Sequence, residues 1–387
     1  MKIGINTLFF KYPASGTGQY LVQLLNQLAE IDTKNKYVLF GDSPKPELEG
    51  PLTRFPYVER PVPILKGRKE NIEKLVWEQF TGPAAAQNAD VDLFHIPYFA
   101  PPLFMRSPTI VTIHDVIPLR LPAYQESAKV RAYLKVVSRA ARQARLIITI
   151  SQHAKQDIIE TLKIKPDRIR VIYQAAGEEY HPITDMELRA RTRAKYGVGE
   201  RYIFYLGGLD QRKNVPQLVR AFAELYRRLG DPGLQLLIAG NPDKQKGPLF
   251  PDPRPVAADL GMTGQIVYRF IDEEDKPTLY SDASAFAFPS LYEGFGLTPL
   301  EAMACGAPVI CSNRTSLPEV AGDAAISLDP MDTAAWVDAM YNVLTKPELE
   351  ADLRTRSLER AKWFHWRKTA KETLAAYEEA YARKRGR

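Results

Sequence analysis

The stretch that most constrains the fold runs from Ala283 to Gly306. The apolar run Ala283-Ser284-Ala285-Phe286-Ala287-Phe288 is short and turn-bounded, as a buried strand is. It feeds Pro289-Ser290-Leu291-Tyr292-Glu293-Gly294-Phe295-Gly296, and then the helical pattern that begins near Leu297. Gly294 and Gly296 remove side chains where the backbone turns, so amide N–H groups can come close to a ligand. A strand, a glycine turn and a helix N-terminus together form an anion site, through free N–H groups and the positive end of the helix dipole. The helix entry predicts Thr298 as N-cap, Pro299 at the first helical position and Glu301 three residues after the cap. Glu301 then has two readings, a capping-box partner of Thr298 or a ligand contact. Glu293 precedes the helix and has no capping role. Carboxylates bracketing an anion turn suit a ligand that carries sugar hydroxyls as well as phosphates.

The rest of the chain repeats this plan. Lys2–Phe9 reads as a strand, followed by Ser15-Gly16-Thr17-Gly18 and an amphipathic helix carrying Tyr20, Leu21, Leu24, Leu25 and Leu28. Strand, glycine loop and helix is a phosphate-binding order, although a plain tight turn explains Gly16 and Gly18 equally well. Thr109–Ile113 is a strand ending in His114-Asp115, at the end where open α/β sheets collect ligands. Further on, Tyr202–Leu206 is a strand that leads through Gly207-Gly208 to Arg212-Lys213 and a helix over Val215–Leu229. Two glycines and two adjacent cations at a helix start suit a diphosphate, by backbone approach, bidentate arginine contact and a lysine point charge.

These motifs resemble glycosyltransferase family 4. Glu293 and Glu301 stand in its E-x7-E pattern, with Thr298 where proline is more usual, and Ser316–Gly322 is similar too. The resemblance covers nearly the whole chain and is strongest from 202 to 330. It implies an α/β protein of two Rossmann-like domains facing across a cleft, the GT-B fold. The first domain would span 1–178, on the acceptor side, with a C-terminal helix of about 366–387 packing back on it. The donor domain would span 179–365. The resemblance also implies roles for individual residues. His114, Arg212, Lys213 and Glu293 would be catalytic. Gly16, Gly18, Gly208, Gly294, Phe295, Gly296, Leu297, Thr298 and Glu301 would hold the donor, with Glu301 on the ribose. Ile271, at the end of a strand over Gln265–Ile271, would meet the nucleobase; Arg269 stands where the family usually has glycine.

The activity so implied is retaining transfer of a hexose from a nucleoside diphosphate sugar to a saccharide or lipid-linked acceptor, without a metal. GDP-mannose is the favoured donor and a UDP-sugar the second. Alternatives on the same fold are a glycoside phosphorylase, a nucleotide-sugar epimerase and a non-catalytic nucleotide-sugar binder. A glycosidase-type nucleophilic role for Glu293 would need a second carboxyl roughly 5 Å away.

Composition narrows the classes further. At 387 residues the chain suits two domains of ordinary size. Its two cysteines suggest a reducing compartment, and its five scattered histidines show no metal-ligand spacing. No secretory leader or membrane-spanning run is visible, so a cytoplasmic location is expected. The net charge of +6 comes with no nucleic-acid motif. Cations recur along a helix predicted over Glu126–Arg145. The favoured reading is a solvated face; the alternative is peripheral docking on anionic lipid at the inner membrane face.

Overall fold

A computed structural model of the chain describes residues 1–13, 15–44, 50–62, 70–243 and 247–385. Residues 42–70 are rich in proline and charge, and 45–49 and 63–69 of them lie outside the described residues, as do residues 244–246. The chain divides into two compact units, Met1–Gln174 with His365–Arg387, and Ala175–Phe364. The first division falls at 174/175, four residues ahead of the expected 178/179 boundary.

The first unit is built on a parallel seven-stranded sheet in the order β3-β2-β1-β4-β5-β6-β7. Its strands are β1 (Lys2–Asn6), β2 (Lys36–Gly41), β3 (Tyr57–Glu59), β4 (Leu93–Ile96), β5 (Thr109–Ile113), β6 (Leu146–Thr149) and β7 (Ile169–Val171). β1, β2, β4, β5 and β6 are apolar on both faces and almost wholly buried, as strands covered by helices on both sides must be. The first strand stops at Asn6, and a 3-10 turn over Leu8–Lys11 takes up the remainder of the expected strand. The helix Gly16–Ile31 begins earlier than its apolar stripe suggested. Ser15 caps it by accepting from the Gly18 amide, so Gly16 and Gly18 lie within its first turn, not in a loop before it.

The final helix, Trp366–Arg385, packs along Gly16–Ile31 and reaches β4 and β6. Its Tyr377 hydroxyl lies 2.7 Å from Nδ1 of His95, which is fully buried in β4, and Nε2 of His95 lies 2.8 Å from Thr112 Oγ1. Arg170 and Glu379 add an ion pair between β7 and this helix. The basic helix spans Ala128–Ala141, shorter than expected, and buries Leu134, Val137 and Ala141. Several cations of the run make local contacts. Arg131 donates to the carbonyls of Gln125 and Glu126, Arg142 to Leu162 and Arg145 to Arg383. Among the described residues no helix is long and apolar enough to cross a membrane.

The second unit has a parallel six-stranded sheet in the order β10-β9-β8-β11-β12-β13. Its strands are β8 (Tyr202–Leu206), β9 (Gln235–Ala239), β10 (Ile266–Arg269), β11 (Ala285–Phe288), β12 (Val309–Ser312) and β13 (Ala325–Leu328). The helices Val215–Leu229 and Thr333–Thr345 pack against each other, and Leu218, Phe222, Trp336 and Met340 join Phe204 and Phe286 in one core. β8 and β11 are neighbours although two strands intervene in the chain, because the order runs outward in one direction from β8 and in the other from β11. Such a reversal opens a crevice beyond the strand C-termini, where ligands of doubly wound sheets bind.

Candidate active site

Both motif-bearing loops of the second unit emerge at that crevice. After β8, Gly207 and Gly208 lead into a 3-10 turn, Gln211–Lys213. Asn214 takes a left-handed conformation (φ 57°), and Pro216 opens the Val215–Leu229 helix. After β11 come Pro289–Gly296 and the helix Leu297–Ala304.

The two loops are joined by a buried ion cluster. Lys213 Nζ lies 2.6 Å from Glu293 Oε1, and Arg212 Nη1 lies 2.9 Å from Glu293 Oε2. Ser290 Oγ donates to Glu293 Oε1 at 2.6 Å. Arg212 also reaches Asp210 Oδ1 through Nε at 3.0 Å, and the Tyr292 carbonyl through Nη1 at 3.0 Å. The Lys213 ammonium stands 4.8 Å above the Phe288 ring. Lys213 and Glu293 are each only 8% exposed. Burial alone would raise the Glu293 carboxyl, but the charges of Lys213 and Arg212 outweigh it and hold the group below its ordinary range. Burial pushes the Lys213 ammonium down, against the pull of Glu293.

The turn carrying Glu293 is pinned from three directions. The Leu291 amide donates to the Arg212 carbonyl at 2.6 Å. Thr315 Oγ1 accepts from the Glu293 amide at 3.0 Å, while Ser316 Oγ lies 2.9 Å from the Glu293 carbonyl and 2.6 Å from that of Phe295. Gly296 then turns the chain at φ +125°, where a Cβ would also stand 2.9 Å from Leu317 Cδ2. That turn corrects the expected cap. The helix starts at Leu297 with Gly296 as N-cap, so Thr298 and Pro299 are its second and third residues and no capping box forms. A conformation that costs glycine least sets the start earlier than the Thr-Pro pair suggested.

Glu301 is therefore released from capping. It is buried, and its Oε2 accepts from the Tyr280 hydroxyl at 3.2 Å. Burial pushes its carboxyl up to about 7, opposed in part by the charge of Lys276. Lys276 in turn lines a cleft of about 270 Å³ together with Gly208, Asn241, Phe270, Ile271 and Glu273. Gly208 and Ile271, 63 positions apart, thus meet on one cleft at the ends of β8, β9 and β10. Arg269 ends β10 and is exposed, its carbonyl accepting from the Gly240 amide.

In the first unit, His114 follows β5 and its Nε2 lies 3.1 Å from the Pro97 carbonyl, just beyond β4. A carbonyl can only accept, so Nε2 carries the proton and Nδ1 is the acceptor of the neutral ring. Burial lowers this imidazole to about 4. Tyr20 packs edge-on against it at 4.8 Å, which ties His114 to the Gly16–Ile31 helix. A Cβ on Gly18 would fall 2.1 Å from the Tyr12 carbonyl oxygen, so packing alone requires glycine there; at Gly16 the space is open. Asp115 Oδ1 accepts from the Ile117 amide and shapes the following turn. Among the described residues no three His, Cys, Asp or Glu side chains gather as a metal site.

Residues 14–176 match the model of Glycosyltransferase Family 4, and residues 189–360 that of Glycosyl transferases group 1. The O-antigen chain mannosyltransferase B of Escherichia coli is 30% identical over 97% of this chain and 99% of its own length. The chain belongs to glycosyltransferase family 4. A serotype-specific mannosyltransferase WbdA of Escherichia coli is 33% identical over 68% of the chain, which corresponds to 32% of that longer protein. Sucrose-phosphate synthase from Thermosynechococcus elongatus superposes with a TM-score of 0.74 at 21% identity, covering 99% of each chain. The fold is accordingly GT-B and the protein is a glycosyltransferase.

Within this family-4 chain, Arg212, Lys213 and Glu293 come together, as do Gly208 and Ile271, and Gly16, Gly18 and His114 share the first unit. Sequence reasoning missed Ser290, Thr315, Tyr280, Asp210 and Lys276. Ser290 and Asp210 had a local signal, three residues before Glu293 and two before Arg212.

Proposed function

We propose that this glycosyltransferase moves a mannosyl unit from GDP-mannose, with retention of anomeric configuration and without a metal, to a saccharide acceptor in polysaccharide assembly. The observation that carries the site is the Arg212–Lys213–Glu293 cluster at the strand-order reversal. Mannose is supported by the names of the two Escherichia coli relatives.

As the bond from the anomeric carbon to the diphosphate breaks, negative charge grows on the departing oxygens. Arg212 and Lys213 stabilise it, with the amides at the start of the Leu297–Ala304 helix; preorganised charge of this kind is usually the largest catalytic contribution. Glu293 has a different part from the sugar-binding role its position suggested. Its two oxygens hold both cations and Ser290, so it aims the cations. The same contacts oppose a nucleophilic role, since an attacking carboxylate would have to leave two cations and a hydroxyl. Gly208, Ile271 and Lys276 form the nucleoside cleft, and Glu301 accepts from the ribose hydroxyls. His114 offers Nδ1 to a hydroxyl of the transferred sugar, because Nε2–H is held by Pro97. A ring that protonates near 4 is a poor general base at neutral pH. The acceptor's proton passes instead to the leaving phosphate oxygen as the new glycosidic bond forms.

Calorimetric titration of GDP and of UDP in EDTA tests this. Metal-free binding of GDP and weaker binding of UDP is the expected result. Binding of neither removes the donor site from consideration, and binding of UDP alone moves the donor to a UDP-sugar.

A further inference from the structure

Thr315 stands in the loop between β12 and the short helix Leu317–Ala321, with φ +57°. Among the described residues three other non-glycine positions take a positive φ: Asp90, Lys163 and Asn214. Asp and Asn tolerate the left-handed region, and Lys163 closes the helix Gln152–Leu162 as its C-cap. Thr315 has neither excuse. It is β-branched, and a branched Cβ crowds the backbone in that region, so the conformation is strained. A turn that needed only the shape would be met with less strain by glycine or asparagine.

The hydrogen bonds show what the conformation achieves. The loop is tied to the sheet. The Asn313 amide donates to the Leu328 carbonyl at 2.7 Å, the Arg314 amide donates to Ser312 Oγ at 3.1 Å, and Arg314 Nη2 pairs with Asp329 at 3.1 Å. From that base the left-handed turn brings the Thr315 hydroxyl to a residue 22 positions away, where Oγ1 accepts from the Glu293 amide at 3.0 Å. Ser316, fully buried, holds the other side of Glu293, its Oγ 2.9 Å from the Glu293 carbonyl. Consecutive hydroxyls thus grip the peptide planes on both sides of the Glu293 Cα. Peptide units are rigid, so holding both fixes φ and ψ of Glu293 and, with them, the direction of its side chain. That direction matters: one carboxylate oxygen meets Lys213 and Ser290, each at 2.6 Å, and the other meets Arg212 at 2.9 Å.

We infer that Thr315 is a positioning residue for the transfer. It holds the Glu293 backbone, at the expense of its own conformation, so that the carboxylate keeps Arg212 and Lys213 aimed at the diphosphate. Strain of this kind persists where the surroundings over-determine it, and it collects at functional sites. This rests on the reading of Arg212 and Lys213 as the cations that meet the departing diphosphate. The hydroxyl and the strain act on stability in opposite directions. A positioning role therefore separates diphosphate binding from thermal stability, and a structural role does not.

Thr315→Ser, Thr315→Val and Thr315→Gly are compared with the wild type by thermal melts, by calorimetric titration of GDP, and by NMR titration of guanosine, which lacks the diphosphate. Thr315→Ser keeps the hydroxyl and should bind GDP within about twofold of the wild type. Thr315→Val keeps the shape and the strain without the hydroxyl, and Thr315→Gly removes both. Each of these two should weaken GDP about tenfold or more and leave guanosine within about twofold, although Thr315→Gly melts higher than Thr315→Val. GDP affinity that follows the melting temperature through the series overturns the inference. So does unchanged GDP affinity in Thr315→Val and Thr315→Gly, or equal weakening of GDP and guanosine. A wild type that takes UDP in place of GDP changes the donor alone, and the same comparison then runs with UDP and uridine. A wild type that binds neither overturns the donor reading and this inference with it.

Discussion

Replacing Lys213 by Met and Glu293 by Gln, singly and together, separates what the buried pair does for folding from what it does for transfer. In Lys213→Met, Glu293 loses an ammonium at 2.6 Å but keeps Arg212 at 2.9 Å and Ser290 at 2.6 Å. The loss is then that of one hydrogen bond to a charged group, about 1.5–3 kcal/mol. That is below the ~3–5 kcal/mol expected when a buried ion loses its sole partner. At ~2–4 °C per kcal/mol for a unit of this size, the melting temperature falls by about 3–12 °C. Glu293→Gln costs more, about 3–5 kcal/mol, because among the described residues Glu293 is the ion-pair partner of the buried Lys213 ammonium and the variant leaves it beside a neutral amide. The double variant has neither an unpaired carboxylate nor an unpaired ammonium, and methionine packs on the Phe288 ring. Its stability loss should fall short of the summed single losses by at least ~1 kcal/mol. Catalysis should show no such recovery: kcat/KM drops about 10²–10³-fold whenever Lys213 is replaced, with or without Glu293. Thermal melts and initial rates on the four proteins make the cycle. Stability losses additive to within ~0.5 kcal/mol would refute the coupling, and a double variant that regains activity would refute the role of Lys213 at the leaving group.

Other predictions follow from single groups. Glu301 has a folded pKa raised from 4.5 to about 7; the stability that its neutral form confers is present below 4.5 and is lost as pH rises through 7, about 3 kcal/mol in all. Glu301→Gln should thus be more stable than wild type in urea at pH 8 and no better at pH 4.5, and an unchanged difference between the two pH values would contradict this. His114 protonates near 4 and holds its proton on Nε2, so nitrogen-15 NMR at pH 6 should report a neutral ring with Nδ1 bare. Below 6.5 the unfolded chain takes up a proton that folded His114 refuses, so its contribution to stability declines down to pH 4. Gly18→Ala sets a Cβ 2.1 Å from a backbone oxygen and should cost more than ~2 kcal/mol by the routes that strain a core. Gly16→Ala meets open space and should change stability by less than ~0.5 kcal/mol, while lowering kcat/KM if its amide faces the diphosphate.

Much of the fold was legible because both sheets are fully covered. A strand buried on both faces reads as a short apolar run, and Tyr202–Leu206 and Thr109–Ile113 were placed to the residue. The helix Val215–Leu229 was equally plain, with Pro216 in its first turn and Gly230 beyond its end. Less legible was whatever depends on one backbone angle or on distant pairing. The φ of Gly296 decides where the next helix starts, and a glycine does not announce which of its allowed conformations it takes. The Lys213–Glu293 contact joins positions 80 apart in the chain; it exists because β8 lies beside β11, and adjacency in a sheet is not written locally. Ser290 and Thr315 escaped notice for a similar reason: hydroxyls are common in loops, and only the folded turn shows which of them grip it.

The return of the Trp366–Arg385 helix to the first unit has a consequence for synthesis. The crevice between Gly16–Ile31 and the sheet is filled by Trp366, Ala370, Tyr377 and Ala380, all buried, so the first unit cannot close its core when its own first 174 residues have emerged. It must wait for the whole of the second unit to be made, on the order of 10–40 s at ~5–20 residues per second. During that interval Tyr20 and His95 lack the side chains that cover them. The second unit, continuous from Ala175 to Phe364, has no such wait, so the half of the enzyme translated later is the one free to finish folding first.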